Sequence, residues 1–300
     1  MSRLSTLNAQ LSAIAVVGPT AVGKSRLGIE LAERLGGEVV SVDSRCVYRG
    51  MDIGTAKPSL AERRGVPHHL IDVVDPDEEY SVARFLADAG AAIEAIRGRG
   101  RRPILVGGTG YWLAALLGRP TSTAVGPNPG LRAELARLPA EELHERLRRL
   151  DPATAATVDA RNPRRLVRAI EVVGATGRPY REARRAMPGI EARLIGLTLP
   201  RDLLYARVNA RYDQMVEAGW IEEVRGLLAR GFGRDLPPMR SFGYAEMVEH
   251  LLDGLPLDRA LERAKARCRR YARGQYSWFR LDDGAIEWHD ARDVRPEAIE

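Results

Sequence analysis

Residues Gly18, Pro19, Thr20, Ala21, Val22, Gly23, Lys24 and Ser25 fit the pattern G-x-x-x-x-G-K-[ST] at every fixed position. Glycines in such a turn let successive backbone N–H groups point into one concavity that holds a phosphate or diphosphate. Lys24 supplies a mobile positive charge to the phosphate oxygens, and Ser25 supplies a hydroxyl ligand for Mg²⁺. Asp43 and Ser44 follow a second apolar run. A carboxylate beside a diphosphate cradle serves as metal ligand, general base or turn cap, and residue type alone leaves all three open. His68 and His69 have no partner at ligand spacing and read as loop-builders. Asp52, Asp72, Asp75 and Asp77 read as turn caps, and Trp278 and Phe279 as core.

These groups need a scaffold to bring them together. Ala13, Ile14, Ala15, Val16 and Val17 form an apolar run before the glycine turn, and Leu27, Leu31 and Leu35 recur at helical spacing after it. The turn therefore lies between a strand at 13–18 and a helix, so the positive end of that helix faces the same concavity. Further strands are expected at 38–42, 70–74 and 103–106, with a helix capped by Ser81 before the last of them. Gly107, Gly108, Thr109 and Gly110 make another glycine turn at a strand's carboxyl end. The alternation predicts an α/β fold, a P-loop NTPase-like doubly wound parallel sheet whose ligands bind at the carboxyl edge.

The texture changes near Arg119. A turn-rich stretch at 120–130 leads to helices at 131–150, 152–158 and 163–174, with no strand before 194–199. Mostly helical sequence follows at 201–230, broken at Gly219, then a long basic helix at 258–280 and a last strand at 286–289. The expected organisation is a catalytic core of residues 1–119 and 194–300, with a small helical domain inserted at 120–193.

The 300 residues carry a net charge of +6 and are 45% hydrophobic. No apolar run is long enough to span a membrane, and residues 1–10 lack a secretory stretch, so a soluble cytoplasmic protein is expected. Cys46 and Cys268 make neither a disulfide framework nor a metal spacing. Arg161, Arg164, Arg165, Arg168, Arg178, Arg181, Arg184 and Arg185 face only Glu171 and Glu182 over the same stretch. A second basic cluster spans 263–273. Such clusters suit a nucleic-acid backbone or a solvated helix face, and charge alone does not choose.

The wording of the motifs says more. Asp43-Ser-Arg-Cys-Val-Tyr-Arg-Gly-Met-Asp-Ile-Gly-Thr-Ala-Lys-Pro58 closely resembles a signature of the tRNA dimethylallyltransferases, also called tRNA isopentenyltransferases. So do Pro67-His-His-Leu-Ile-Asp72, Asp75-Pro76, Tyr80-Ser81 and Val106-Gly-Gly-Thr-Gly110. Arg211-Tyr-Asp-Gln-Met215, Gly219, Glu223-Val224, Gly243-Tyr244 and Gln275-Tyr-Ser-Trp-Phe-Arg280 extend the match toward the C-terminus. Arg45, Cys46, the pair Tyr111-Trp112, Ala245 and Gly274 depart from the family's usual wording.

The resemblance implies transfer of a dimethylallyl group from dimethylallyl diphosphate to the N6 amine of the adenine immediately 3′ of the anticodon. Asp43 is then the general base, Thr109 orients the amine or the base, and residues 18–25 with Arg211 and Mg²⁺ hold the diphosphate. The implied tRNA contacts are Asp43, Ser44, Arg45, Cys46 and Thr109 at the target base. Arg132, Arg164, Arg165, Leu166, Val167, Arg168, Arg240, Ser241, Phe242, Gly243, Tyr244 and Ala245 are the implied contacts along the RNA path. The partners expected are an anticodon stem-loop and the prenyl donor, the chain acting as a monomer away from membranes. Two rivals share the glycine turn: a small-molecule kinase, and a prenyltransferase of free adenine nucleotides. A GTP-regulated RNA-binding protein fits worst, because no Asn-Lys-x-Asp guanine motif occurs.

Overall fold

The structure, a computed structural model, describes residues 12–119, 122–123, 125–185 and 188–299. The leader reading of residues 1–10 and part of the 120–130 stretch lie outside them. The chain forms two compact units, one of residues up to Leu113 and from Ile190 onward, the other Ala114–Gly189. The sequence expectation had put these junctions at 119/120 and 193/194.

The first unit is built on one six-stranded sheet. Its strands are β1 (Ala13–Val17), β2 (Gly37–Ser41), β3 (His68–His69), β4 (Arg102–Val106), β7 (Ala192–Thr198) and β8 (Ile286–Asp290), ordered β3-β2-β4-β1-β7-β8. Every pairing is parallel, with Val16 opposite Val106 on one side and Ile195 on the other. Each residue of β1 is buried, as expected for a central strand covered on both faces. Leu27 and Leu31 of the helix Lys24–Leu35 pack with Ile14, Val16, Ile104 and Ile195. The α/β class and parallel sheet are as the alternation predicted. Because β4 lies between β2 and β1, the three loops leaving their carboxyl ends are neighbours.

A second core gathers the helices Arg201–Glu217, Trp220–Ala229, Tyr244–Asp253 and Leu257–Gln275 around Trp220, Tyr244 and Met247. The helix Tyr244–Asp253 was not anticipated, and the basic helix stops at Gln275 rather than 280. The strand expected at 70–74 is instead His68–His69. Leu70 and Asp72 have positive φ, which takes the backbone out of the strand region, and Val74 keeps only an isolated bridge to Tyr48.

In the second unit the stretch expected as one helix is two, Pro129–Leu135 and Ala140–Leu150. Pro139 divides them, because its ring leaves no N–H for a continuing helix. Asn162 caps the helix Pro163–Thr176 by accepting from the Arg165 N–H. Leu135, Leu143, Leu147, Leu166 and Ile170 form its core. A short antiparallel pair, β5 (Ser122–Thr123) with β6 (Arg184–Arg185), occurs where no strand was expected.

Candidate active site

Burial of β1 fixes where the glycine turn starts. A Cβ on Gly18 would lie 2.3 Å from the Leu197 carbonyl oxygen of β7, so only glycine lets the turn pass. Gly18, Ala21 and Gly23 all have positive φ, which curls the chain into a concave row of amides. The helix Lys24–Leu35 has Gly23 as its N-cap with no side-chain bond, and no acidic residue in its first turn. Its first N–H groups therefore remain available to an anion.

A cavity of about 690 Å³ opens over this turn, lined by Lys24, Ser25, Asp43, Cys46, Gly107 and Arg211 among others. Lys24 donates to the Pro19 carbonyl at 2.7 Å. Burial pulls its pKa down to about 8 against the opposing charge of Asp43, while Arg211 lowers it further. Burial likewise pushes the Arg211 pKa down. Among the described residues the partly buried Arg211 side chain makes no hydrogen bond or ion pair, so this cation faces the cavity with only the charge of Glu62, on the cavity lining, to offset it. An anionic ligand would relieve the cost of keeping it there.

Asp43 sits one residue beyond Val42, whose N–H reaches Val106 of β4. Its Oδ1 accepts from the Arg45 N–H at 2.9 Å, leaving Oδ2 for other work. Thr109 joins the ends of β2 and β4, its Oγ1 accepting from the Ser44 N–H at 3.0 Å and its N–H reaching Val42. Cys46 is buried, and burial pushes its thiol pKa up, which makes it inert wall rather than nucleophile. Ser25 is exposed to the cavity and offers a hard oxygen. That donor fits Mg²⁺, which takes few protein ligands and completes its shell with water and substrate phosphate. Among the described residues no cluster of three His, Cys, Asp or Glu makes a permanent metal site.

Arg45 ties this edge to residues 240–245. Its Nη2 donates to the carbonyls of Gly54 and Phe242, each at 3.1 Å, and its guanidinium lies 4.3 Å from the Phe242 ring centre. Arg240 is exposed and paired with Asp235, Ser241 and Ala245 are partly covered, and Gly243 and Tyr244 are buried. The Tyr244 hydroxyl donates to Glu223, which also accepts from the N–H groups of Asp52, Ile53 and Gly54. Sequence reasoning gave Glu223 no role, yet this one carboxylate holds the loop after Asp43. Lys57, buried between Tyr48 O, Asp52 and Asp72, was also missed. Tyr271 was missed as well: its ring centre lies 4.9 Å from that of Phe242, and desolvation together with the Asp43 charge raises its pKa.

In the helical unit, Arg164 and Arg165 are exposed and make no ion pair among the described residues. Val167 is partly buried, and Leu166 is fully buried in that unit's core. Arg132 and Arg168 both bind Glu171, which is 1% exposed. Burial alone would raise the Glu171 pKa, but Arg132, the Asn128 N–H and Arg168 outweigh it and hold it at about 2.

Residues 46–282 match the family described as IPP transferase. A tRNA dimethylallyltransferase of Roseiflexus sp. (strain RS-1) is 51% identical, over 95% of each chain. Its counterpart in Pelotomaculum thermopropionicum is 44% identical over 92% of this chain and 90% of its own. The crystal structure of the tRNA isopentenylpyrophosphate transferase from Bacillus halodurans superposes with a TM-score of 0.70 at 42% identity, covering 96% of this chain and 93% of that one. A eukaryotic dimethylallyltransferase solved acting on tRNA gives 0.79 at 30% identity, over 94% of this chain and 74% of that one.

Proposed function

Because the chain belongs to the IPP transferase family, we propose that it moves the dimethylallyl group of dimethylallyl diphosphate onto the N6 amine of the adenine immediately 3′ of a tRNA anticodon, with Asp43 as base. The observation that carries this reading is one cavity lined by uncapped helix amides, Lys24, an unpaired Arg211 and a free Asp43 oxygen. Cleavage of the donor's allylic C–O bond leaves negative charge on diphosphate. The N–H groups of residues 21–25, with Lys24 and Arg211, stabilise that charge as it develops. Mg²⁺ held by Ser25 would add further neutralisation of the leaving group.

The adenine amine is a weak nucleophile whose N–H becomes acidic only as the new C–N bond forms. Asp43 then accepts that proton through the oxygen not used by Arg45. Thr109, fixed to Ser44, holds the carboxylate's strand end in place. The adenine must leave its stack to reach this carboxylate, at roughly a few kcal/mol, less in a loop than in a duplex. Contacts from Arg164, Arg165 and the exposed Arg240 to the stem-loop offset that cost.

Incubation with radiolabelled dimethylallyl diphosphate, Mg²⁺ and either unmodified tRNA or AMP tests the reading. Label is expected in tRNA with release of diphosphate, and not in AMP. Label in AMP would favour the free-nucleotide prenyltransferase, and phosphoryl transfer from ATP to a small acceptor would favour the kinase.

A further inference from the structure

Gln275 ends the basic helix and is 3% exposed, and both ends of its amide are committed. Its Oε1 accepts from the N–H of Thr20 in the phosphate turn at 2.8 Å. Its Nε2 donates to the carbonyl of Gly108 at 2.7 Å. A Cβ on Gly108 would fall 2.3 Å from that Nε2, so the glycine admits the amide. Thr109 follows at once and bonds Ser44, the neighbour of Asp43. Trp278 and Phe279 donate back to the Gln275 carbonyl, which closes the turn after the helix and fixes its last residue.

We propose that Gln275 is a positioning residue for the prenyl transfer, setting the distance between the leaving-group cradle and the base. This rests on the function proposed above. A primary amide is the one neutral side chain of that length that both donates and accepts at a fixed separation. A hydrophobic residue would leave a Thr20 N–H and a Gly108 carbonyl unpaired, and a carboxylate would oppose its oxygen to that carbonyl. Nucleophile and departing group sit on opposite sides of the reacting carbon, so a shift between the two loops lengthens the reaction path without removing either binding site.

The test compares wild type with Gln275→Ala, Gln275→Glu and Gly108→Ala. In Gln275→Ala the turnover of tRNA prenylation should fall about 100-fold, the loss expected for a displacement of about 1 Å. The KM for tRNA should stay within about twofold and the affinity for magnesium pyrophosphate within about fivefold, the margins within which ground-state binding counts as unchanged. Gly108→Ala, which keeps the amide but pushes it aside, should show the same split. In Gln275→Glu the rate relative to wild type should rise as pH falls, because the introduced carboxyl regains a donor toward Gly108 when protonated. Amide hydrogen exchange should quicken in both 18–25 and 107–110 in Gln275→Ala, and this readout needs no turnover. Wild-type turnover, a loss of turnover matched by an equal loss of pyrophosphate affinity, or faster exchange in only one loop overturns the proposal. A wild-type protein that leaves tRNA unprenylated defeats the functional reading instead, while the exchange data still decide whether Gln275 couples the loops.

Discussion

The cavity of the α/β unit and the helix Pro163–Thr176 are both rich in cations, but different partners face those cations. In the cavity, neither Arg211 nor Lys24 makes an ion pair among the described residues: Lys24 donates to a carbonyl, and only the longer-range charges of Asp43 and Glu62 offset the two cations. On the helix, Arg168 joins Arg132 around the buried Glu171, while Arg164 and Arg165 stand exposed and unpaired. These four arginines thus divide into two, Arg132 and Arg168, that build the unit and two, Arg164 and Arg165, that are open to a phosphate partner. A buried cation with no partner costs stability unless a ligand supplies one, whereas a buried carboxylate between two guanidiniums is already satisfied.

Asp43→Ala probes the cavity side most severely. Loss of a general base predicts a fall in prenyl transfer of about 1,000-fold with stem-loop affinity nearly unchanged, read by single-turnover transfer and filter binding. Glu171→Gln probes the other side. It should cost the helical unit about 3 kcal/mol in denaturant unfolding, since it leaves two guanidiniums without their buried carboxylate. Because the folded-state pKa of Glu171 lies at about 2, below the unfolded value, its contribution is present above about pH 4.5 and lost as pH falls toward 2. The variant should lack that acid-limb loss.

Lys24 gives a smaller effect with the opposite pH sense. With its pKa lowered to about 8, the lysine gives up its proton as pH rises past that value, so pyrophosphate affinity should drop about tenfold across about two pH units. Lys24→Arg should hold its affinity flat over the same range. Smallest of all, Arg165→Ala should weaken tRNA binding only a few-fold and reduce the slope of log affinity against log salt by about one. Arg132→Ala should instead act on unfolding. If Arg132→Ala behaved like Arg165→Ala, the division between building and binding arginines would fail.

The sequence made the cradle legible because a strand, a glycine turn and a helix are local, and local spacing carries their geometry. The adjacency of Asp43 to the cradle was legible from parallel α/β topology, in which β2, β4 and β1 deliver their loops to one edge. What was not legible depended on distant partners. Glu223 reaches back about 170 residues to N–H groups of 52–54, and Gln275 joins loops that precede it by more than 160 residues. No periodicity marks such contacts. The strand at 70–74 was misplaced because its apolar residues look extended, while the positive φ of Leu70 and Asp72 belongs to a loop held by Lys57. The roles of Arg132 and Arg168 were hidden by composition, which counts charges without showing which are already paired.

The most direct measurement is a crystal structure of the protein with an anticodon stem-loop, Mg²⁺ and a non-hydrolysable thio analogue of dimethylallyl diphosphate. The diphosphate is expected on the amides of 21–25 beside Lys24 and Arg211, with the flipped adenine N6 about 3 Å from an Asp43 carboxylate oxygen. Diphosphate bound elsewhere, or an adenine N6 that meets no carboxylate, would contradict the account.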